Sequence, residues 1–273
     1  WGGHLSVVEW LHTNRSEGCT NWAMDRAAEN GHLHVVKWLR ANGLDQSDHK
    51  PMDCAAKNGH LSVMEWLHHR ISITSRQGWG SSRDAMDNAA GNGHLAVVEW
   101  LHANYSSGCT TKAMDQAAGN GHLDTVEWLQ TNRPEGCTED AMDEAAGNGH
   151  LSVVEWLHAN RSEGCTTWAM DTAAENGHLS VIQWLHTHRS EGCTTEAMDL
   201  AAKNGQLTVL QWLNANRSEG CTAAAMDNAA ENGHLSAVEW LHANRSEGLV
   251  RSAMRIADAA GQPAVQDWLL HVL

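Results

Sequence analysis

Apolar residues follow two different spacings along the chain, and residues 166–193 display both of them. The first half of this segment carries small apolar side chains at Ala169, Met170, Ala173 and Ala174. After Asn176 and Gly177, the second half carries a wider apolar face, made by Leu179, Val181, Ile182, Trp184 and Leu185. Both spacings are those of helices, and the wide face predicts contacts on more than one side. We therefore expect two short helices, the first capped by the hydroxyl of Thr166 or Thr167 and ended by Gly177 in a left-handed conformation.

The same segment recurs along the whole chain. Its glycine returns every 28 residues, with one interval of 34, at Gly3, Gly31, Gly59, Gly93, Gly121, Gly149, Gly177, Gly205, Gly233 and Gly261. Burying one Trp side chain contributes roughly 4–6 kcal/mol. Ordering 28 residues costs about 40 kcal/mol, so a single helix pair does not fold by itself. Neighbouring pairs must cover each other, and we predict an all-α solenoid of stacked helix-turn-helix repeats.

The repeated stretch A-A-x-N-G-H-L-x-V-V-x-W-L resembles the core of the ankyrin repeat, and residues 50–53 resemble its T-P-L-H step. The chain departs from that family in two ways. An ankyrin unit has 33 residues, so this unit is five shorter at the place where ankyrin repeats carry β-hairpin fingers, and we expect none here. Aspartate also replaces the His of T-P-L-H, at Asp25, Asp53, Asp87, Asp115, Asp143, Asp171, Asp199 and Asp227.

The repeats divide the chain into a single predicted domain, residues 1–273. Residues 1–19 form a partial N-terminal unit, residues 20–249 eight units, and residues 250–273 a capping unit with polar substitutions such as Arg255 and Gln266. An insertion near 70–83 brings three Arg and a Trp into an acidic protein. Insertions in repeat arrays map to loops, so this one is either a binding loop or a decayed junction between units.

The balance of charged residues indicates which classes of partner the chain can bind. With 33 acidic and 18 basic residues the formal charge is -15, which disfavours nucleic acid and anionic membranes and favours a basic protein partner. No apolar run reaches the roughly 20 residues of a membrane helix. The chain starts at Trp1 without an initiator Met, which suggests an incomplete N-terminus. We expect a monomer.

Cysteine, histidine and aspartate recur with the repeat. A cysteine ladder formed by Cys109, Cys137, Cys165, Cys193 and Cys221 has a spacing of about 8–10 Å between units, too far for disulfides, which indicates free thiols and a cytoplasmic location. Histidines within a unit are too far apart to share a metal ion, so no metal or cofactor is predicted. The aspartates form a regular ladder, whereas an active site needs one asymmetric constellation. We interpret them as fixing each loop, with or without the nearby His, and expect no enzymatic activity.

Two positions vary while the rest of the unit stays constant, and they flank Ala-Met-Asp. Because they are four residues apart, they share one face of the first helix. The predicted partner-binding residues are Trp22, Arg26, Lys50, Lys112, Gln116, Asp140, Glu144, Trp168, Thr172, Glu196 and Leu200, with Trp79 from the insertion. In ankyrin arrays this side is the concave, ligand-facing one, and the resemblance implies the same here. The alternative interpretation is that these are solvent positions that drift without constraint.

We therefore predict a non-enzymatic scaffold that binds a partner protein along the first-helix face. Two alternatives stay open. The chain could be the repeat region of a larger protein whose catalytic or regulatory domain lies outside it, or a metal or redox buffer that uses its thiols.

Overall fold

The computed structural model describes residues 2–15, 22–44, 51–74 and 82–273. These residues form nineteen α-helices: α1 (Leu5–Asn14), α2 (Trp22–Glu29), α3 (Leu33–Ala41), α4 (Pro51–Lys57), α5 (Leu61–Thr74), α6 (Arg83–Gly91), α7 (Leu95–Asn104), α8 (Lys112–Gly119), α9 (Leu123–Asn132), α10 (Asp140–Gly147), α11 (Leu151–Asn160), α12 (Trp168–Glu175), α13 (Leu179–His188), α14 (Glu196–Lys203), α15 (Leu207–Asn216), α16 (Ala223–Glu231), α17 (Leu235–Asn244), α18 (Val250–Ala259) and α19 (Pro263–Val272). No β-strand occurs in these ranges, so the expectation of a solenoid without β-hairpin fingers holds for the described residues.

Two compact units divide the helices. The first contains residues 1–117 and 122–138, and the second contains residues 118–121 and 139–273. Within each unit, the first helix of a repeat packs most closely against the first helices of its neighbours, as α2, α4 and α6 do in the first unit. In the second unit α10, α12, α14, α16 and α18 follow the same order, and each second helix lies against its own first helix.

The turn between the two helices follows from its glycine. Gly177 has a φ of +79°, a conformation that only glycine adopts without strain, and it ends α12. The backbone N–H of His178 then donates to the carbonyl of Ala173 at 2.8 Å, which closes the end of the helix. Of the two predicted capping residues, Thr167 occupies the N-cap without a side-chain capping hydrogen bond, and Thr166 makes the predicted kind of contact, because its Oγ1 accepts from the backbone N–H of Trp168 at 3.1 Å.

The repeated aspartates from Asp53 to Asp199 hydrogen-bond to the start of the next repeat. Asp171 is buried at the start of α12, and its two carboxylate oxygens accept hydrogen bonds from the backbone N–H and the hydroxyl of Thr194, both at 2.8 Å. The prediction that these aspartates fix a loop is confirmed, but the partner is a threonine of the next repeat and not the histidine. At the start of α18, Ser252 donates its hydroxyl to Asp227 at 3.1 Å.

The histidine at the turn reaches in the opposite direction, to the preceding repeat. In the first unit, His60 Nε2 hydrogen-bonds to the carbonyl of Glu29 at 3.0 Å. Gln262 in the second unit donates from Nε2 to the carbonyl of Glu231 at the same distance. A glutamine amide therefore replaces the imidazole at this position without loss of the contact.

A second set of contacts joins successive second helices. In the second unit, the His158 ring meets the Trp184 ring edge to face with centroids 5.2 Å apart, and His186 meets Trp212 in the same way at 5.3 Å. Aromatic pairs favour this geometry because the ring edge is positive and the ring face is negative. Trp184 and Trp212 are half-buried in these contacts. Because the tryptophan recurs in each repeat, we assign it to the packing between repeats and not to the binding of a partner.

The insertion is partly helical. Helix α5 continues to Thr74, so the prediction of a loop from residue 70 is wrong for its first five residues, which extend the helix. The repeat register is restored at Ser82, whose backbone N–H and hydroxyl donate to Asp53 at 3.0 and 2.5 Å, the arrangement that Thr194 has with Asp171. Residues 75–81, with the candidate Trp79, lie outside the described residues.

Helix α1 presents an uncovered apolar face. Val7 is 52% exposed and Leu11 46% exposed, whereas the equivalent Val153 and Leu157 in the second unit are each 1% exposed. An open groove of about 650 Å³ lies between α1 and α2. In the repeat that contains Val153 and Leu157, the first helix α10 packs against α11. No described helix is both long and apolar enough to cross a bilayer.

Candidate partner-binding surface

The variable positions lie on the outer face of the first helices. In α12, for example, Ala169, Met170, Ala173 and Ala174 are buried, so the residues before and after Ala-Met-Asp turn away from the core. Trp22, Arg26, Lys112 and Gln116 are exposed in the first unit; Asp140, Glu144, Trp168 and Glu196 are exposed in the second unit, where Thr172 and Leu200 are half-buried. Lys50 lies outside the described residues.

The second variable position rests on the preceding repeat. A Cβ atom built on Gly147 would lie 2.6 Å from Oγ1 of Thr172, and one built on Gly91 would lie 2.9 Å from Cβ of Gln116. The residue two places before the turn glycine therefore limits what this second position can carry. This third variable position was not predicted, although its alternation among Gly, Glu and Lys is visible in the sequence at Glu29, Gly91, Gly147, Glu175 and Lys203.

On the exposed face of the first unit, the cationic side chain of Arg26 lies over the ring of Trp22. The guanidinium carbon of Arg26 lies 5.4 Å from the ring centroid of Trp22, within the range of a cation–π interaction. The same guanidinium pairs with Glu29 at 2.5 Å. Trp22 is 52% exposed despite this contact.

The face of the second unit is acidic around an exposed aromatic ring. Trp168 is 49% exposed at the start of α12. Helices α10 and α14 pack on either side of α12, and their outer positions carry the exposed carboxylates of Asp140, Glu144 and Glu196. Four residues after Trp168, the hydroxyl of Thr172 donates to the carbonyl of Trp168 at 2.7 Å.

The cysteines lie behind this surface. Cys54, Cys109, Cys165, Cys193 and Cys221 are free cysteines, as predicted, and all of these except the half-buried Cys54 are buried. Burial raises the pKa of the Cys165 thiol to about 11, and the negative charge of Glu191 contributes to this increase. The same causes act on Cys193, where Glu219 takes the place of Glu191 and the pKa is again about 11. Among the described residues, no group of three or more His, Cys, Asp or Glu side chains is placed to hold a metal ion.

These thiols are expected to be unreactive in the folded protein. A thiol pKa two units above its ordinary value leaves about 100-fold less thiolate at neutral pH, and burial adds a barrier to attack. Alkylation of Cys165 and Cys193 by iodoacetamide at pH 7.5, followed by peptide mass spectrometry, should be at least about 100-fold slower in the folded protein than in guanidinium. Ser152→Cys, at an exposed position on α11, is the matched control and should react rapidly. Comparable rates for Cys165 and this control would contradict the expectation.

The buried aspartates are occupied by structural hydrogen bonds. Burial raises the pKa of Asp143, an effect opposed by hydrogen bonds from Thr166, and nearby Asp140 and Glu139 raise it further. Burial likewise raises the pKa of Asp171, with Glu196 of the next repeat among the contributing charges. Negative charge therefore accumulates both at and beneath the surface of α10, α12 and α14.

Comparison with known proteins gives a consistent result. A family model described as ankyrin repeats (many copies) matches residues 24–68, 52–102, 86–130 and 114–158, and one described as ankyrin repeats (3 copies) matches residues 142–221. A comparison with curated protein sequences finds no significant match. The crystal structure of the human ASB11 ankyrin repeat domain is similar to this structure with a TM-score of 0.51 and 16% sequence identity. The match covers 68% of this chain and 96% of that one, and at this identity it shows the fold alone.

Proposed function

Because the chain belongs to the ankyrin repeat family, we propose that it is a non-enzymatic scaffold that binds a partner protein along the exposed face of its first helices. Ankyrin repeats are generally modules for protein–protein interaction. One observation carries the choice of face: the outer positions of the first helices change in size, polarity and charge from repeat to repeat, whereas the turns and the aspartate hydrogen bonds recur and the second helices vary less. A changing set of side chains on a constant frame is what recognition of one particular partner requires.

The recurring aspartate and cysteine side chains, which are types found in catalytic sites, support this proposal instead. Asp143 and Asp171 are buried and engaged by the threonines of the next repeats, and the thiols are buried with raised pKa values. Such groups stabilise the array and are not available to a substrate. The outer face offers instead an exposed tryptophan, and tryptophan is enriched among the residues that dominate binding energy at interfaces.

Site-specific photo-cross-linking in extract of the source cells tests the proposed face. A photoreactive phenylalanine analogue at Ala224, exposed on α16, should cross-link a partner, because this position lies on the first-helix face. The same analogue at Glu239, exposed on α17, is the matched control and should give little product. Cross-links that form at Glu239 and fail at Ala224 would overturn the proposal.

A further inference from the structure

We propose that, in the second unit, the outer faces of α10, α12 and α14 bind a basic segment of a partner protein, with one arginine or lysine side chain over the ring of Trp168. The carboxylates of Asp140, Glu144 and Glu196 would receive the neighbouring cations. This inference rests on the proposed function, because it gives the chemistry of the partner for one part of the same face.

Two equivalent tryptophans on the first-helix face differ in their neighbours. Trp22 and Trp168 both precede Ala-Met-Asp, and both are about half exposed. Four residues after Trp22 stands Arg26, whose guanidinium lies over the indole ring at 5.4 Å. The corresponding residue after Trp168 is Thr172, which is uncharged and whose hydroxyl is engaged by the carbonyl of Trp168. The position from which the first unit supplies a cation to its own tryptophan thus carries no charge at Trp168.

The backbone of Trp168 is anchored to the preceding repeat. Its backbone N–H donates to Oγ1 of Thr166 at 3.1 Å, and the same hydroxyl is held by Asp143 at 2.6 Å. The backbone that carries the indole is therefore fixed to the preceding repeat through a buried carboxylate. A ring on a fixed backbone loses less conformational entropy on binding than one on a mobile loop.

The exposed charged side chains on α10, α12 and α14 are mainly acidic. The exposed charged side chains of α10, α12 and α14, together with the residue before α10, are the carboxylates of Glu139, Asp140, Glu144 and Glu196 and the ammonium of Lys203. Glu196 of the next repeat is among the charges that act on Asp171 in α12. A cation over Trp168 would have carboxylates of both neighbouring repeats within about 8–10 Å, the usual spacing of packed helices.

This arrangement predicts the form of the ligand. Acidic positions on successive repeats, about one helix spacing apart, match basic side chains two or three residues apart on an extended segment, which advances about 3.3 Å per residue. Surface charge pairs are individually weak and screened by salt, so binding is expected to be salt-sensitive and centred on the tryptophan. The negative potential that attracts such a segment repels nucleic acid phosphates.

Fluorescence anisotropy with the full chain tests this inference. The probe is a fluorescein-labelled peptide of six Arg-Ser dipeptides, and the matched peptide of six Glu-Ser dipeptides is the control. We expect saturable binding of the arginine peptide alone, weakened at least about tenfold between 50 and 500 mM salt. Trp168→Ala should weaken it about tenfold, and Trp168→Phe should restore most of the loss, because phenylalanine keeps an aromatic face.

Two charge-matched variants separate this surface from general attraction to an acidic protein. Neutralisation of the face by Asp140→Asn, Glu144→Gln and Glu196→Gln together should weaken binding about tenfold or more. The control neutralises three exposed carboxylates on second helices of the same unit, by Glu155→Gln, Glu239→Gln and Asp267→Asn, and should change affinity less than about twofold. Thermal melting verifies that each variant is folded.

Equal losses in the two triple variants, or no binding of the arginine peptide at millimolar concentration, would overturn the inference. Either result would leave the proposed function standing if Ala224 still cross-linked a partner. Cross-linking at Glu239 alone would remove the proposed function, whatever the peptide did.

Discussion

Asp171→Ala is expected to lower the free energy of unfolding by about 3 kcal/mol, because one buried carboxylate organises the start of the following repeat. Asp171 is 2% exposed and accepts the backbone N–H and the hydroxyl of Thr194, each at 2.8 Å. The Thr194 hydroxyl in turn accepts the backbone N–H of Glu196, the first residue of α14, at 3.1 Å. Alanine would leave the Thr194 N–H unpaired, at about 1–3 kcal/mol, and weaken this hydrogen bond at the start of α14, which contributes about 1 kcal/mol.

Asp171→Asn is the matched control and should cost about 1 kcal/mol or less. Its side-chain oxygen can accept the Thr194 N–H, and its amide can donate to the Thr194 hydroxyl. The change also removes a charge that is unfavourable in this place, since burial raises the pKa of Asp171. Urea denaturation of the full chain measures the loss, and hydrogen exchange of the Thr194 amide locates it. An asparagine variant as unstable as the alanine variant would mean that the charge, and not the pair of hydrogen bonds, holds the repeats together.

The hydrogen bonds between Asp171 and Thr194 show how far the sequence predicts the contacts between repeats. The period and the helical spacings predict the helix pairs, and Asn176 with Gly177 predicts where α12 ends. The ladder of aspartates predicts a structural role, but its partner lies 23 residues further along the chain. Only the stacking of the repeats brings Asp171 and Thr194 together, because each helix pair has to be placed on its neighbour before the start of α14 faces the start of α12.

The sequence predicts where the candidate surface lies, but not which contacts its side chains make. Variation at a helical spacing of four places Trp22 and Trp168 at equivalent outer positions. The sequence shows Arg26 after one and Thr172 after the other. That the Arg26 guanidinium lies over its ring, whereas the Thr172 hydroxyl donates to the backbone carbonyl of Trp168, depends on side-chain contacts that the repeat period does not predict. The contact of Thr172 with Gly147 is also invisible in the sequence, because it joins residues of two repeats.

Gly149→Ala is expected to destabilise the second unit by about 3 kcal/mol, for two separable reasons. Gly149 has a φ of +79°, and a residue with a Cβ atom in that conformation costs about 1–2 kcal/mol. The added Cβ would also lie 2.6 Å from Nδ1 and Cε1 of the His178 ring, so the ring must leave the turn of the preceding repeat.

The last turn of the array offers a control in which only the first reason applies. Gly261 has a φ of +69°, but a Cβ built there meets no atom within 4 Å, so Gly261→Ala should cost only about 1–2 kcal/mol. Urea denaturation of both variants gives the difference, which measures how much the histidine contact between adjacent repeats contributes. If the two variants lose the same free energy of unfolding, the His178 ring moves aside freely. The hydrogen bonds of the repeated aspartates, and not the histidine contact, then set the spacing of the repeats. A clearly larger loss for Gly149→Ala would instead make the turn a contact site between repeats, since the absence of a side chain at each glycine is what lets the next repeat approach.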